Sequence, residues 1–377
     1  MGRTRRSAVV ALAALGACAK PPATYKLAVI APLSGDMAAD GQGMERAVEL
    51  AVSDDAASSA SPVKVVVVGF DDRAEPSAAA EAARKAAADP QVFAVIGPMT
   101  SGCAIEAARV LSLNPMPMIT PSATAPELTL QQERSDWGGA RVAFRLPPSD
   151  ALQGESDAEY ARQRLGLKTF AVISDGTPYG LGLTDAFRRG FEARSGGISF
   201  LTTVPRGAVD FSPVVRQIVD MKPDGVFFGG IYIDAGRLLK QVRAAGYAGI
   251  FMSGDGAKSD DLFRYAGDAA DGAYLSVSGV PLELLPSAQD FVARYNKRWP
   301  DAAPRTFDHY AYEAARIALW ALRKTGGDRK AAVEAIRSHS HKAMMGNFIF
   351  DGKGDSLKSQ ITMMKADGKR RRFDPAY

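Results

Sequence analysis

The chain has 377 residues, 46% of them hydrophobic and 23% charged, with a formal net charge of +4. That balance excludes a disordered chain and a polytopic membrane protein, and the length suits about two or three domains. Arg3, Arg5 and Arg6 lie in a leader, and without them the charge is about +1, so nucleic acid is not an expected partner.

Met1–Arg6 is basic, and Ser7–Ala17 is an apolar run of about one signal h-region. It is too short to span a bilayer of about 30 Å as a helix. The run closes Leu15-Gly16-Ala17-Cys18, small residues directly before a cysteine. This resembles the bacterial lipobox, which implies a lipid on the Cys18 sulfur and cleavage ahead of it. An ordinary secretory signal with an incidental cysteine is the alternative. Ala19–Thr24, with Pro21-Pro22, reads as a short tether. Acylated Cys18 leaves Cys103 alone, a small apolar residue near a helix start with no local histidine to activate it.

From Lys26 onward, apolar β-rich runs alternate with amphipathic helical stretches. Strands are expected at Lys26–Pro32, Val63–Phe70, Phe93–Ile96 and Met116–Ile119. The four valines of the second strand suggest burial on both faces. Helices are expected at Ala39–Asp54, Ser77–Ala88 and Cys103–Leu113. The rhythm restarts at about Pro147 with helices Asp150–Leu165, Leu181–Arg194, Phe211–Met221 and Ala235–Ala245. Strands Thr169–Ser174, Ile198–Val204, Gly225–Phe228 and Ile250–Met252 lie among them. The fold class is therefore α/β, with two doubly wound parallel-sheet halves. From about Pro286 three helices follow, Ser287–Arg298, Thr306–Thr325 and Arg329–Ser338. A short β region, Asn347–Phe350 and Gln360–Lys365, ends the chain.

In open α/β sheets ligands bind beyond the carboxyl ends of strands, at helix N-termini. Phe93–Ile96 runs into Gly97-Pro98-Met99-Thr100-Ser101-Gly102, where unpaired N–H groups and two hydroxyls could cradle a carboxylate. An ordinary Ser or Thr N-cap would use the same residues. Met116–Ile119 runs into Thr120-Pro121-Ser122-Ala123-Thr124-Ala125-Pro126, a hydroxyl-rich loop held extended by proline. In the second half, Ser174–Gly180 carries Tyr179, and Asp255 stands between two glycines, placed to accept an ammonium group or to serve as a turn residue. The histidines His309, His339 and His341 lack metal-ligand spacing. The GxG pieces at Gly41 and Gly180 lack a third glycine. Lys369–Arg372 reads as a solvated tail, and Met344-Met345 and Met363-Met364 as packing.

Several blocks, each weak alone, occur together in order: Ala31-Pro32-Leu33-Ser34-Gly35, Asp71-Asp72, Val95-Ile96-Gly97, Thr120–Thr129, Tyr179-Gly180-Leu181-Gly182, Gly229-Gly230-Ile231-Tyr232, Tyr310–Ala314 and Phe350–Asp355. From about Lys26 to Lys369 the chain resembles the leucine/isoleucine/valine-binding proteins, the substrate-binding subunits of branched-chain amino acid ABC transporters. The resemblance implies a type I periplasmic binding fold of two lobes joined by three hinge crossings. Residues 1–17 would be a lipoprotein signal peptide and 18–25 a tether. The N-terminal lobe would comprise 26–146 plus 278–345, and the C-terminal lobe 147–277 plus 346–377.

By resemblance, Ser101, beside Thr100, and Thr124 take a ligand α-carboxylate. The Ser122 carbonyl, with Thr124, receives the ammonium, as does Asp255; Tyr179 faces the ligand, and Ala123 and Tyr232 are counted among the ligand-binding residues. The implied protein captures a branched-chain or other aliphatic amino acid and delivers it to permease transmembrane subunits; a sensor or receptor for amides or small carboxylates is the alternative. It catalyses no reaction, needs no cofactor or metal, is monomeric, and sits in the periplasm as a membrane-anchored lipoprotein. Three departures touch the side-chain pocket. Asp255 is one methylene shorter than the glutamate of matching relatives, Ile231 stands where an aromatic often lies, and Ala38–Gly41 lacks a tryptophan.

Overall fold

The computed structural model describes residues 24–58 and 63–376. The leader and Cys18 lie outside the described residues. The first sheet is built from β1 (Thr24–Ala31), β2 (Lys64–Asp71), β3 (Val92–Ile96), β4 (Met118–Thr120) and β5 (Ala143–Arg145), in the order β2-β1-β3-β4-β5. All its pairings are parallel. Helices α1 (Ala38–Ser58), α2 (Pro76–Ala88), α3 (Ser101–Leu113) and the short α4 (Glu127–Leu130) connect the strands.

Helix α5 (Asp150–Glu159) opens the second half and continues as a π-turn over Tyr160–Arg164, where the sequence suggests unbroken helix to Leu165. The second sheet holds β6 (Thr169–Ser174), β7 (Gly197–Thr203), β8 (Gly225–Gly229), β9 (Ile250–Ser253), β10 (Tyr274–Ser278), β11 (Ile361–Asp367) and β12 (Arg372–Pro375). Its order is β12-β11-β10-β9-β8-β6-β7. The strands from β6 to β10 pair in parallel, and β11 and β12 add antiparallel. Helices α6 (Pro178–Ala193), α7 (Ser212–Met221), α8 (Tyr232–Ala244) and α9 (Leu262–Ala266) flank it. After β10 the chain returns to the first core with α10 (Gln289–Arg298), α11 (Asp308–Thr325) and α12 (Arg329–Ser338).

The chain thus passes between the lobes three times: after β5, after β10 and before β11. Phe348 and Phe350 are buried in the first core, so the last crossing comes after them, later than residue 346. No strand forms over Asn347–Phe350, because Phe348 and Phe350 make only isolated bridges, to His341 and Ser356. The valines of β2 are only half-buried, since β2 is an edge strand. The strands buried along their length are β3, β4, β5 and β8, as is most of β1. No helix among the described residues is long and apolar enough to cross a membrane.

Two close approaches place the elements around the cleft. Gly97 ends β3 at φ +107°, and any Cβ there would strike the Ile30 carbonyl of β1, so the chain can turn toward α3 only with glycine. Gly154 lets α5 lie against α6: a Cβ would stand 2.6 Å from the Phe187 N and 2.7 Å from the Ala186 Cβ. Gly154→Ala should therefore overpack this helix pair and cost about 1–3 kcal/mol, read as a lower urea midpoint at unchanged m-value.

Candidate functional site

A cleft of about 540 Å³ opens between the lobes. Its walls are the segments beyond the carboxyl ends of β1 to β4 on one side and of β6 to β9 on the other. Thr100, Ser101, Ser122, Tyr179, Tyr232 and Asp255 all line it. Ala123 and Thr124 do not; each is about 1% exposed, behind the cleft wall. The reason is the loop's own bonding. The Ala123 N–H donates to Thr120 Oγ1 at 3.0 Å, and the Thr124 carbonyl accepts from Arg145 Nη1 at 2.7 Å and from the Asp150 N–H at 2.9 Å.

On the first lobe, Thr100 occupies the N-cap position of α3 in extended conformation but makes no side-chain cap bond. The N–H groups of the first helical turn have no partners within the helix and carry partial positive charge. Ser101 Oγ accepts from the Ala125 N–H at 3.2 Å, and Ser122 Oγ donates to the Met99 carbonyl at 2.8 Å. These bonds tie the α3 start to the loop after β4. The N-terminus of α6, capped by Thr177, faces the same cleft from the second lobe.

On the second lobe, Tyr179 donates its hydroxyl to Asp255 Oδ1 at 2.9 Å and accepts the Gly256 N–H at 2.9 Å. With its amide turned so that donor meets acceptor, Gln153 accepts from the Asp255 N–H at 3.0 Å and donates to Asp255 Oδ1 at 3.2 Å. Asp255 Oδ2 has no hydrogen-bond partner in the protein. Burial pushes the Asp255 carboxyl up to about 6. Tyr232 turns its hydroxyl to Asp40 Oδ2 at 2.9 Å, across the cleft.

The sequence reading missed a polar stripe beneath the floor. Asp150, Gln153 and Asp157 share one face of α5, at spacings of three and four, and all are fully buried. Asp157 Oδ2 accepts from Ser276 Oγ at 2.9 Å, while both Asp150 oxygens lack partners. Burial first, and then neighbouring carboxyl groups, hold both acids well above the usual carboxylate range. The D-x-x-Q-x-x-x-D pattern was the available signal.

Cys103 is buried, its thiol pushed up to about 12 by burial and then by Asp72, so it is an inert packing residue. His309 is buried too, and burial pushes it down to about 3. Among the described residues no cluster of His, Cys, Asp or Glu could hold a metal ion. Five acids, Asp36, Asp40, Glu75, Asp175 and Asp255, line the cleft against three bases, Arg73, Arg206 and Lys258.

Because Asp255 binds its proton more tightly folded than unfolded, it costs nothing below about pH 4 and destabilises the native state by about 3 kcal/mol above pH 6. Asp255→Asn should therefore raise the urea midpoint at pH 7.5. The gain should fade as pH drops from 6 to 4, measured as paired unfolding curves across that range.

Residues 24–371 match the family described as periplasmic binding protein. The chain is 29% identical over 367 residues to the Leu/Ile/Val-binding protein homolog 3 of Brucella melitensis, covering 96% of each. It superposes on a crystallised leucine-binding protein of Thermotoga maritima with TM-score 0.84 and 26% identity, over 94% of this chain and 98% of that one. A solute-binding protein of Rhodopseudomonas palustris, crystallised with 3,4-dihydroxybenzoic acid, shares the fold at TM-score 0.78 and 23% identity. That match covers 91% of this chain and 93% of that one.

Proposed function

The chain belongs to the periplasmic binding protein family, and on that premise we propose that it captures a free amino acid, branched-chain or otherwise aliphatic, in the interlobe cleft and hands it to an ABC importer. One observation carries the ligand class. A helix start with two hydroxyls on one lobe and a buried acid on the other line the same cleft. A zwitterion loses its hydration on enclosure and needs a charge-assisted partner at each end. In this reading Thr100, Ser101 and the first N–H groups of α3 take the carboxylate. Asp255, oriented by Tyr179 and Gln153, takes the ammonium together with the Ser122 carbonyl. Ala123 and Thr124 act from behind, by holding the loop. The two charge-bearing walls belong to different lobes, so only closure brings both to the ligand, and ligand favours the closed state.

The size of the cleft fits the ~300–1,000 Å³ of small-molecule sites. The dihydroxybenzoic acid of the Rhodopseudomonas protein has a carboxylate and no ammonium. An aromatic acid of that kind is the second reading here, and it would leave Asp255 without a cation. The basic leader and Cys18 support a lipid-anchored protein facing the periplasm. A Cys18→Ser precursor should then lack the diacylglyceryl mass, and its presence would overturn Cys18 as the site of attachment.

Calorimetric titration of protein stripped of ligand by unfolding and refolding tests the ligand class. An aliphatic L-amino acid should release heat and benzoate should not; the reverse result would replace the amino acid with an aromatic acid. Asp255→Ala should weaken amino acid binding by about 2–3 kcal/mol, on the order of a hundredfold, and an unchanged affinity would remove the ammonium role.

A further inference from the structure

The end of the cleft around Tyr232 carries a set of contacts between the lobes that the ligand reading does not use. Asp40 stands in the first turn of α1, on the first lobe, and is 7% exposed. Arg305 stands in the turn before α11, also on the first lobe, where its backbone N–H donates to Asp308 Oδ2 at 3.0 Å. Arg305 Nε donates to Asp40 Oδ1 at 2.5 Å. The first lobe therefore presents an anion and a cation side by side.

The second lobe answers each with its complement. Tyr232, at the start of α8, donates its hydroxyl to the free oxygen of Asp40 at 2.9 Å. Asp261, just before α9, accepts from Arg305 Nη2 at 2.6 Å. Next to them Thr306 Oγ1, on the first lobe, donates to the Lys258 carbonyl of the second at 2.8 Å. At the opposite rim Arg206 of the second lobe donates to the Ala74 carbonyl of the first at 3.2 Å. All of these bonds are made by the protein's own atoms, and the bonds between lobes require the closed arrangement.

We infer that Asp40, Arg305, Tyr232 and Asp261 form a clasp that holds the lobes shut whatever side chain the ligand carries, with Arg305 its central positioning residue. A ligand held by both lobes sees an affinity scaled by the fraction of protein able to close. Contacts made only in the closed form raise that fraction without touching the ligand. Arg305 bridges two acids with separate arms of its guanidinium, which lysine, as a point charge, reproduces only in part. The pair to Asp261 is partly exposed, so salt screens it and the clasp loosens at high ionic strength.

The test uses soluble Cys18→Ser protein, small-angle scattering without ligand, and calorimetry with L-leucine, L-isoleucine and L-valine. Arg305→Gln should enlarge the ligand-free radius of gyration and weaken all three ligands by a common factor of about ten. Arg305→Lys should recover part of both effects. Asp261→Asn, a change at a partly exposed site that leaves the fold intact, should act like Arg305→Gln, and the double variant should be no worse than either single one. An unchanged radius of gyration in both single variants overturns the clasp, whatever the affinities do. Unequal losses among the three ligands also overturn it, because Arg305 would then be touching the ligand. If wild-type protein binds none of the three, the amino acid reading falls, and the scattering comparison still decides the clasp.

Discussion

A buried guanidinium joins the ligand loop to the hinge. Arg145 ends β5 at 1% exposure, where a charge without partners would be prohibitively costly. Its Nη1 donates to the Thr124 and Ala125 carbonyls, each at 2.7 Å, and its Nη2 to Thr129 Oγ1 and to Asp355. Arg145 also bridges Asp355 through the backbone, which sets the first and third crossings side by side. The loop after β4, the α5 start and two of the three crossings are thereby one rigid piece. Thr124 belongs to that piece, and its carbonyl serves both Arg145 and Asp150 instead of the cleft surface. The α3 start is bonded to the same loop through Ser101 and Ser122. The first-lobe wall of the cleft is therefore held together by the protein's own hydrogen bonds.

The second-lobe half is arranged differently. Asp255, Asp150 and Asp157 are buried together around Gln153, Ser276 and Tyr179, and their carboxyl groups hold protons tightly. Such a cluster opposes folding at neutral pH. Tyr179 links the cluster to the cleft by donating to Asp255 while accepting the Gly256 N–H. Asp255 itself is only 2% exposed, set in the wall beside Tyr179.

Elements whose information is local were legible. The β-α alternation, most helix positions and the cleft-lining residues at strand ends follow from apolar periodicity and from where helices begin. The family resemblance placed Ser101, Tyr179 and Asp255, and all three face the cleft. What escaped depends on partners far away in the chain. The valines of β2 carry no mark of lying at an edge. Tyr274–Ser278 alternates serines with apolar residues in a five-residue run, and only its neighbours β9 and β11 make it a strand. The α5 stripe was visible as a pattern, but it became meaningful only when β10 and Asp255 were packed against it. Asp40, Tyr232, Asp261 and Arg305 are separated by scores of residues, and no local feature pairs them.

The second sheet ends in β12, a four-residue strand preceded by Lys369, Arg370 and Arg371 and opened by Arg372, all exposed. In sequence this basic run looks like a loose tail, but in the fold it borders an outer edge. Short, charged edge strands resist the addition of a strand from another molecule. Proteolytic loss of the last six residues would uncover β11, whose row of free amides and carbonyls could recruit a neighbour. The terminal arginines thus act as a guard against sheet-to-sheet association at the outer margin of the molecule.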